Sequence, residues 1–349
     1  MSVPNVLSES VSSARRGSDF AELSRWVKRS GLLRRRYGYY AARIAANVVL
    51  LGVGVTAFVL LGESWWQLFT AAFLAIVLTQ FAFIGHDAGH QQIFRSRKAN
   101  DGVGYVHSAL VGISYGWWVG KHNQHHANPN HEDDDPDIDI PALAFSREQA
   151  VTRHGVRRWV ARHQAVLFFP LLLMEAVMLR VASVQAVLRR EVKAMPVEAA
   201  LLTAHLAGYL TALFLVLSPW QAVLFIVVHQ GLMGVYLGCS FAPNHKGMPI
   251  LPSEVKLDYL RKQVLTSRNV TGGKWVDFLL GGLNYQIEHH LFPNMPRPNL
   301  RRAQAVVREF CGRHDIPYTQ CGLIRSYAMV LRHLHEVGAP LRRARLNRA

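Results

Sequence analysis

Seven of the chain's 17 histidines fall in three short runs. The first holds His86 and His90, four residues apart, in His86-Asp87-Ala88-Gly89-His90. The second holds His122, His125 and His126. The third repeats that spacing with a different head residue: Gln286, His289 and His290, within Asn284-Tyr285-Gln286-Ile287-Glu288-His289-His290. On a helix, positions three and four apart share a face, so each run points its side chains at one centre. Neutral imidazole is the commonest protein metal ligand. A single His-x-x-x-His is often incidental; three such runs are not. His245, beside Asn244, is an eighth candidate. Eight imidazoles plus the Gln286 amide exceed the four positions of a tetrahedral zinc, but suffice for two ions of higher coordination. A nitrogen-rich set without thiolate suits iron, zinc or copper. The zinc-protease signature His-Glu-x-x-His is absent. Asp87 and Glu288, inside the runs, read as groups that orient imidazoles from behind. The acidic run Asp133 to Asp139 reads as a water-facing loop that positions the second box.

The elements that must position these residues are apolar. Of 349 residues, 50% are hydrophobic, yet the net charge is +16. Apolar residues gathered in membrane spans, with basic residues at water-facing ends, explain that combination. Uncharged runs extend over Ile44 to Leu61 and Leu68 to Ile84, and further apolar runs over Glu198 to Leu217 and Gln221 to Leu237. Each approaches the ~20 residues needed to cross a bilayer core. They read as two helical hairpins, with Trp65 and Trp66 at the first turn and Pro219 and Trp220 at the second. Residues 102–119 and Leu167 to Leu179 read as re-entrant or interfacial helices. His205 and His229, inside spans, read as neutral hydrogen-bonded side chains. Residues 1–20 read as a loose tail, and residues 21–38, with six basic residues among Leu23, Trp26, Val27, Leu32 and Leu33, as an amphipathic helix on a membrane surface.

The turns at 62–66 and 218–220 lack Lys and Arg, whereas the N-terminus, residues 147–193 and the C-terminus are rich in them. The positive-inside rule then puts both termini and all three boxes on the cytosolic side, and an even number of spans agrees. Three cysteines, an odd number, argue against a disulfide framework. No secretory signal peptide is expected. The basic ends carry no nucleic-acid motif; anionic lipid headgroups are the partners expected there.

In combination, His86-x-x-x-His90, His122-x-x-His125-His126 and Gln286-x-x-His289-His290 resemble the membrane-bound fatty acid desaturases, with the Gln-headed third box of the acyl-lipid and front-end branch. The resemblance spans roughly residues 30–310. It implies an all-α integral membrane protein: four transmembrane helices in two hairpins, with a cytosolic helical cap holding a di-metal site. The expected divisions are 1–38 (tail and basic interfacial helix), 39–310 (membrane desaturase domain) and 311–349 (basic cytosolic segment). It further implies a kinked acyl tunnel, for which Trp117, Trp118 and Tyr236 are candidate lining residues. The implied ligands to two irons are His86, His90, His122, His125, His126, His289 and His290, with Gln286 where other branches carry His and His245 as the extra ligand after the last span. Asp87, Asn244 and Glu288 are the supporting candidates. The implied reaction inserts a cis double bond into an acyl lipid or thioester using O2. Its electrons are expected from a separate ferredoxin or cytochrome b5-type carrier with its reductase, because the haem signature His-Pro-Gly-Gly is absent. A di-iron lipid hydroxylase and, more remotely, a membrane zinc hydrolase are the rival readings.

Overall fold

The structure is a computed structural model that describes residues 18–346. The chain divides into two compact units. Among the described residues, one comprises residues 18–34, His122–Phe168 and residues 240–346; the other comprises Arg35–Lys121 and Phe169–Cys239.

The second unit contains the long apolar helices: α2 (Tyr37–Leu61), α3 (Gln67–Gly89), α9 (Met195–Val216) and most of α10 (Pro219–His245). All four are long and apolar enough to cross a bilayer. α2 and α9 leave most of their surface uncovered, with Val48, Val49, Val59, Leu60, Phe214 and Leu215 exposed. Water does not tolerate such a continuous apolar face; a hydrocarbon surround does. α3 and α10 are the more buried pair, and Phe58, Ala71, Leu213, Leu217, Ala222 and Phe225 form one shared core. The Gln67 amide closes the first turn, donating to Phe58 O at 2.6 Å and Gly62 O at 3.0 Å.

Between these helices the chain is more broken than its composition suggests. Residues 102–119 do not form one helix. α4 (Arg97–Val111) stops at Gly112, which takes the left-handed conformation (φ 79°), and α5 (Tyr115–Ala127) begins three residues later. The apolar stretch around Leu167 to Leu179 also splits, into α7 (Gly155–Leu172) and α8 (Glu175–Leu188), bent by 83°. Pro170 lies inside α7, near its end, and has no N–H to donate to the carbonyl four residues back. The backbone then tightens, Leu173 N donating to Pro170 O and Met174 N to Leu171 O. α10 lies directly on this bend: a Cβ at Gly234 would stand 2.4 Å from Leu172 O.

The first unit is built around a different core, formed by Leu23, Val27, Leu260, Val264, Ile287, Leu291, Leu300, Val307 and Phe310. Leu23 and Val27 belong to α1 (Ser18–Arg29). The apolar face of that N-terminal helix is thus covered by protein, where its pattern alone suggested a membrane surface. Trp26 stands edge-on to Phe310 at 5.3 Å, with the Arg313 guanidinium 5.1 Å over its ring. The stretch expected to be a loose tail falls mostly on residues 1–17, outside the described residues. α6 (Arg147–Thr152) opens on a capping box, Ser146 with Gln149. Later come α11 (Tyr259–Leu265), α12 (Gly273–Leu279), α13 (Gln286–Leu291), α14 (Arg297–Arg313), α15 (Leu323–Val337) and α16 (Ala339–Leu346). The only sheet among the described residues is a parallel ladder of β1 (Asn269–Thr271) and β2 (Gln320–Gly322). α14 and this ladder both run through the expected boundary near residue 310. Cys239, Cys311 and Cys321 are all free thiols.

Candidate metal centre

The first box closes helix α3. His86 lies in its last turn and His90 caps it, donating its backbone N–H to His86 O at 3.1 Å. One turn of helix brings the two rings to 4.7 Å. Asp87 Oδ1 lies 3.3 Å from His86 Nδ1, and Trp118 packs on the His86 ring at 5.5 Å.

The second box occupies the last turns of α5, and the third is α13 itself. His125, His245 and His290 converge within the first unit. The His245 Nε2 atom lies 3.3 Å from His125 Nε2 and 3.0 Å from His290 Nε2. Behind each ring an acceptor fixes the tautomer. His125 Nδ1 faces Asp135 Oδ1 at 2.9 Å, His245 Nδ1 faces Thr266 O at 3.0 Å, and His290 Nδ1 faces Gln263 Oε1 at 2.9 Å. Gln263 cannot turn round freely, because its Nε2 donates to His126 O at 2.9 Å. A carboxylate, a carbonyl and an amide oxygen only accept, so each Nδ1 carries the proton and each Nε2 presents a lone pair. Three buried lone pairs facing one point repel one another unless a cation stands between them. The donor set fits a divalent transition metal.

The boxes do not each serve one centre. Within the second box, His125 turns to His245 and His290, while His122 and His126 bring their Nε2 atoms within 3.2 Å of each other. Within the third, His290 joins His245, while His289 packs on His126 at 4.8 Å between ring centroids. The His126 and His290 rings stack at 4.0 Å, back to back between the two groupings. Neighbouring residues on a helix are 100° apart, so adjacent imidazoles diverge even when the run as a whole shares a face. Gln286 joins the His245 side: its Nε2 lies 2.8 Å from His245 Nε2. Its Oε1 is buried and has no hydrogen-bond partner. Rotating the amide would offer that oxygen at the same place.

The supporting residues differ from expectation in three places. Glu288 is fully buried but meets no imidazole in its hydrogen bonds. It accepts from Asn269 Nδ2 and from Tyr318 OH, each at 2.7 Å. Burial pushes its carboxyl up to about 7, an effect the Tyr318 and Asn269 hydrogen bonds oppose. Asn269 also caps the box helix, its Oδ1 accepting from Ile287 N at 2.9 Å. Glu288 therefore anchors the third box to the ladder. Asn244 donates to Ser240 O, one turn back on its own helix, and its Oδ1 has no partner.

The acidic loop is the third difference. Asp133, Asp134 and Asp139 are exposed, but Asp135 is buried behind His125. Its carboxylate also accepts from Asn130 N at 2.7 Å and Asp137 N at 2.9 Å. The Asn130 amide in turn donates to His245 O at 3.1 Å. Asp135, Gln263, Thr266 and Asn269 were not legible as site residues. For Asp135 the one local signal was its place ten residues after His125 in a Pro-broken loop.

The fold and this histidine cluster define a chain with four helices of membrane-spanning length and histidine groups that could hold a metal ion. The chain belongs to the fatty acid desaturase family, whose profile matches residues 63–322. It is 30% identical to an acyl-lipid (9-3)-desaturase of Physcomitrium patens, over 91% of this chain and 62% of that protein. It is 31% identical to a delta(6)-fatty-acid desaturase of Caenorhabditis elegans, over 90% and 74%. A delta(8)-fatty-acid desaturase of Helianthus annuus matches at 26%, over 90% and 72%. The chain thus spans less than two thirds of the moss relative and about three quarters of the other two.

Proposed function

We propose that the protein is an oxygen-dependent fatty acyl desaturase whose ligands to two irons are His86, His90, His122, His125, His126, His245, His289 and His290, with Gln286 as a weak or water-mediated ninth. The observation that carries this reading is the convergence of three imidazole Nε2 atoms, each with its Nδ1 proton held by an acceptor. Family membership supports the choice of iron over zinc and of desaturation over hydroxylation. Bound by these groups, iron would supply the oxidising power toward an unactivated methylene that no side chain has. Overall, the acyl chain gives up two hydrogens. One O2, two external electrons and two protons complete the balance, and two waters leave. The protein's own contribution is positional. Asp135, Gln263 and the Thr266 carbonyl hold the imidazoles in one tautomer, and the burial of His245, His289 and His290 keeps water away.

The electrons come, on this reading, from a separate ferredoxin or cytochrome b5-type carrier, and the substrate is an acyl lipid or acyl thioester. Expression in a host lacking the product, with lipid profiling by mass spectrometry and metal analysis of the purified protein, tests the whole. A new double bond and about two irons per chain are expected. One zinc, no iron and an unchanged lipid profile would overturn it.

The same reading makes the protein multi-pass, with two hairpins and with termini and metal site on the cytosolic side. The positive-inside distribution and four helices of spanning length support it. In intact cells, Asn128→Cys should resist an impermeant thiol reagent and react only after permeabilisation. Reaction from outside would reverse the orientation.

A further inference from the structure

A break between two helices inside an apolar unit exposes backbone groups that lipid cannot satisfy. The break at Gly112-Ile113-Ser114, between α4 and α5, is such a place. Two buried charged side chains close it. From α8, Arg180 donates through Nη2 to Val111 O, the last residue of α4, at 2.6 Å. From the first turn of α9, Glu198 accepts from Gly116 N at 3.0 Å and from the Ser114 hydroxyl, while that hydroxyl receives Trp117 N at 3.2 Å. His205, also on α9, meets the Ala109 carbonyl. A guanidinium thus stands at the negative end of one helix and a carboxylate at the positive end of the next.

The packing leaves no slack. A Cβ at Gly112 would lie 2.4 Å from His205 Nε2 and 3.0 Å from Arg180 Nε, and one at Gly116 would lie 2.4 Å from Glu198 Oε1. Tyr115 is pinned too, its hydroxyl on Asp101 Oδ1 at 3.0 Å and its ring over Gly104. Arg180 has no carboxylate partner among the described residues, and Glu198 has no cationic one. Both charges are committed to the helix ends.

We propose that Arg180 and Glu198 are positioning residues, a clamp on this helix break that sets the axial position and rotation of α5 and hence of His122, His125 and His126. The inference rests on the metal-centre reading above. The site lies about 9 Å further along the same helix, at 1.5 Å per residue from Gly116 to His122. A shift of the helix start therefore carries the second box with it. The carboxylate is the more telling of the two, because it touches the helix that bears the ligands.

Two measurements on the full chain in detergent test this. Hydrogen exchange of the metal-free protein should show the Gly116 and Trp117 amides exchanging at least about tenfold faster in Glu198→Ala, with the core of α10 unchanged. In iron-loaded protein, turnover per bound iron should fall at least about tenfold, and Glu198→Gln, which keeps an acceptor oxygen for Gly116 N, should recover most of it. A role in stability alone would lower the melting point and iron content but leave turnover per bound iron intact. Should Glu198→Ala not accumulate as folded protein, Glu198→Asp decides, since it keeps the charge but withdraws it from Gly116. Wild-type exchange and wild-type turnover per bound iron in these variants would overturn the clamp. Absence of iron from the wild-type protein would instead sink the metal-centre reading, and the exchange measurement would still judge the clamp.

Discussion

His290→Ala is expected to reduce bound iron from two to one or fewer per chain and to bring the double-bond product below detection. The His290 ring contributes one of the three Nε2 atoms that meet at His245, and it stacks on His126 of the neighbouring grouping. Its loss opens a coordination position and removes the spacer between the two groupings. The effect should exceed the 10–100-fold typical of losing an orienting partner. Asp135→Asn supplies that comparison. It removes the charge behind His125 but keeps an oxygen that can accept from Nδ1, so a decrease of about tenfold to a hundredfold is expected. Gln286 completes the series. Gln286→His should retain iron, whereas Gln286→Ala should lose some iron but less than His290→Ala, because an amide binds a metal weakly. Iron per chain by atomic absorption and product by gas chromatography, on the same preparations, check all four. If His290→Ala and Gln286→Ala both kept full iron and full activity, this cluster would not be the metal site.

Arg268→Met should be the most destabilising single change in the first unit outside the histidines. Arg268 is fully buried. Its guanidinium gathers the carbonyls at the end of α10, donating to Pro243 O at 2.5 Å and Lys246 O at 3.0 Å, and to Ser326 Oγ at 3.1 Å. These carbonyls flank His245, so the residue fixes where the helix ends and where that imidazole stands. Met fills the space but removes the guanidinium's hydrogen bonds to Pro243 O, Lys246 O and Ser326 Oγ, while Ser326 continues to donate to Pro243 O at 2.6 Å. Each hydrogen bond lost from a charged donor costs about 1.5–3 kcal/mol. A net loss of about 2–4 kcal/mol is expected, partly offset because the buried charge is also removed. The melting point in detergent should drop by several degrees, iron retention should fall with it, and Arg268→Lys should restore little because one ammonium cannot span the three acceptors. Arg268→Met melting with the wild type and holding full iron would refute this.

The features that the sequence alone determined are local ones. Four apolar runs of spanning length are properties of contiguous residues, and so are the i, i+3, i+4 spacings that mark His86 to His90, His122 to His126 and Gln286 to His290. Hence four helices of spanning length, the family and the histidine runs were legible in the sequence. The amphipathic pattern of α1 was read as a helix lying on a membrane surface, but no pattern says what covers an apolar face, and Leu23 and Val27 join the protein core. Tertiary structure decided the division of the second and third boxes between two groupings, because ring direction depends on what packs behind each imidazole. It also chose the residues that stand there. Asp135 reads like its exposed neighbours Asp133 and Asp134 until the loop folds and His125 meets it. Gln263 and Thr266 lie 27 and 21 residues from the imidazoles they hold, with no periodicity to link them. Glu198 and Arg180 are 82 and 69 residues from the backbone groups they satisfy. A hydrogen bond between distant residues leaves no trace in the spacing of a single chain, since only folding makes them neighbours.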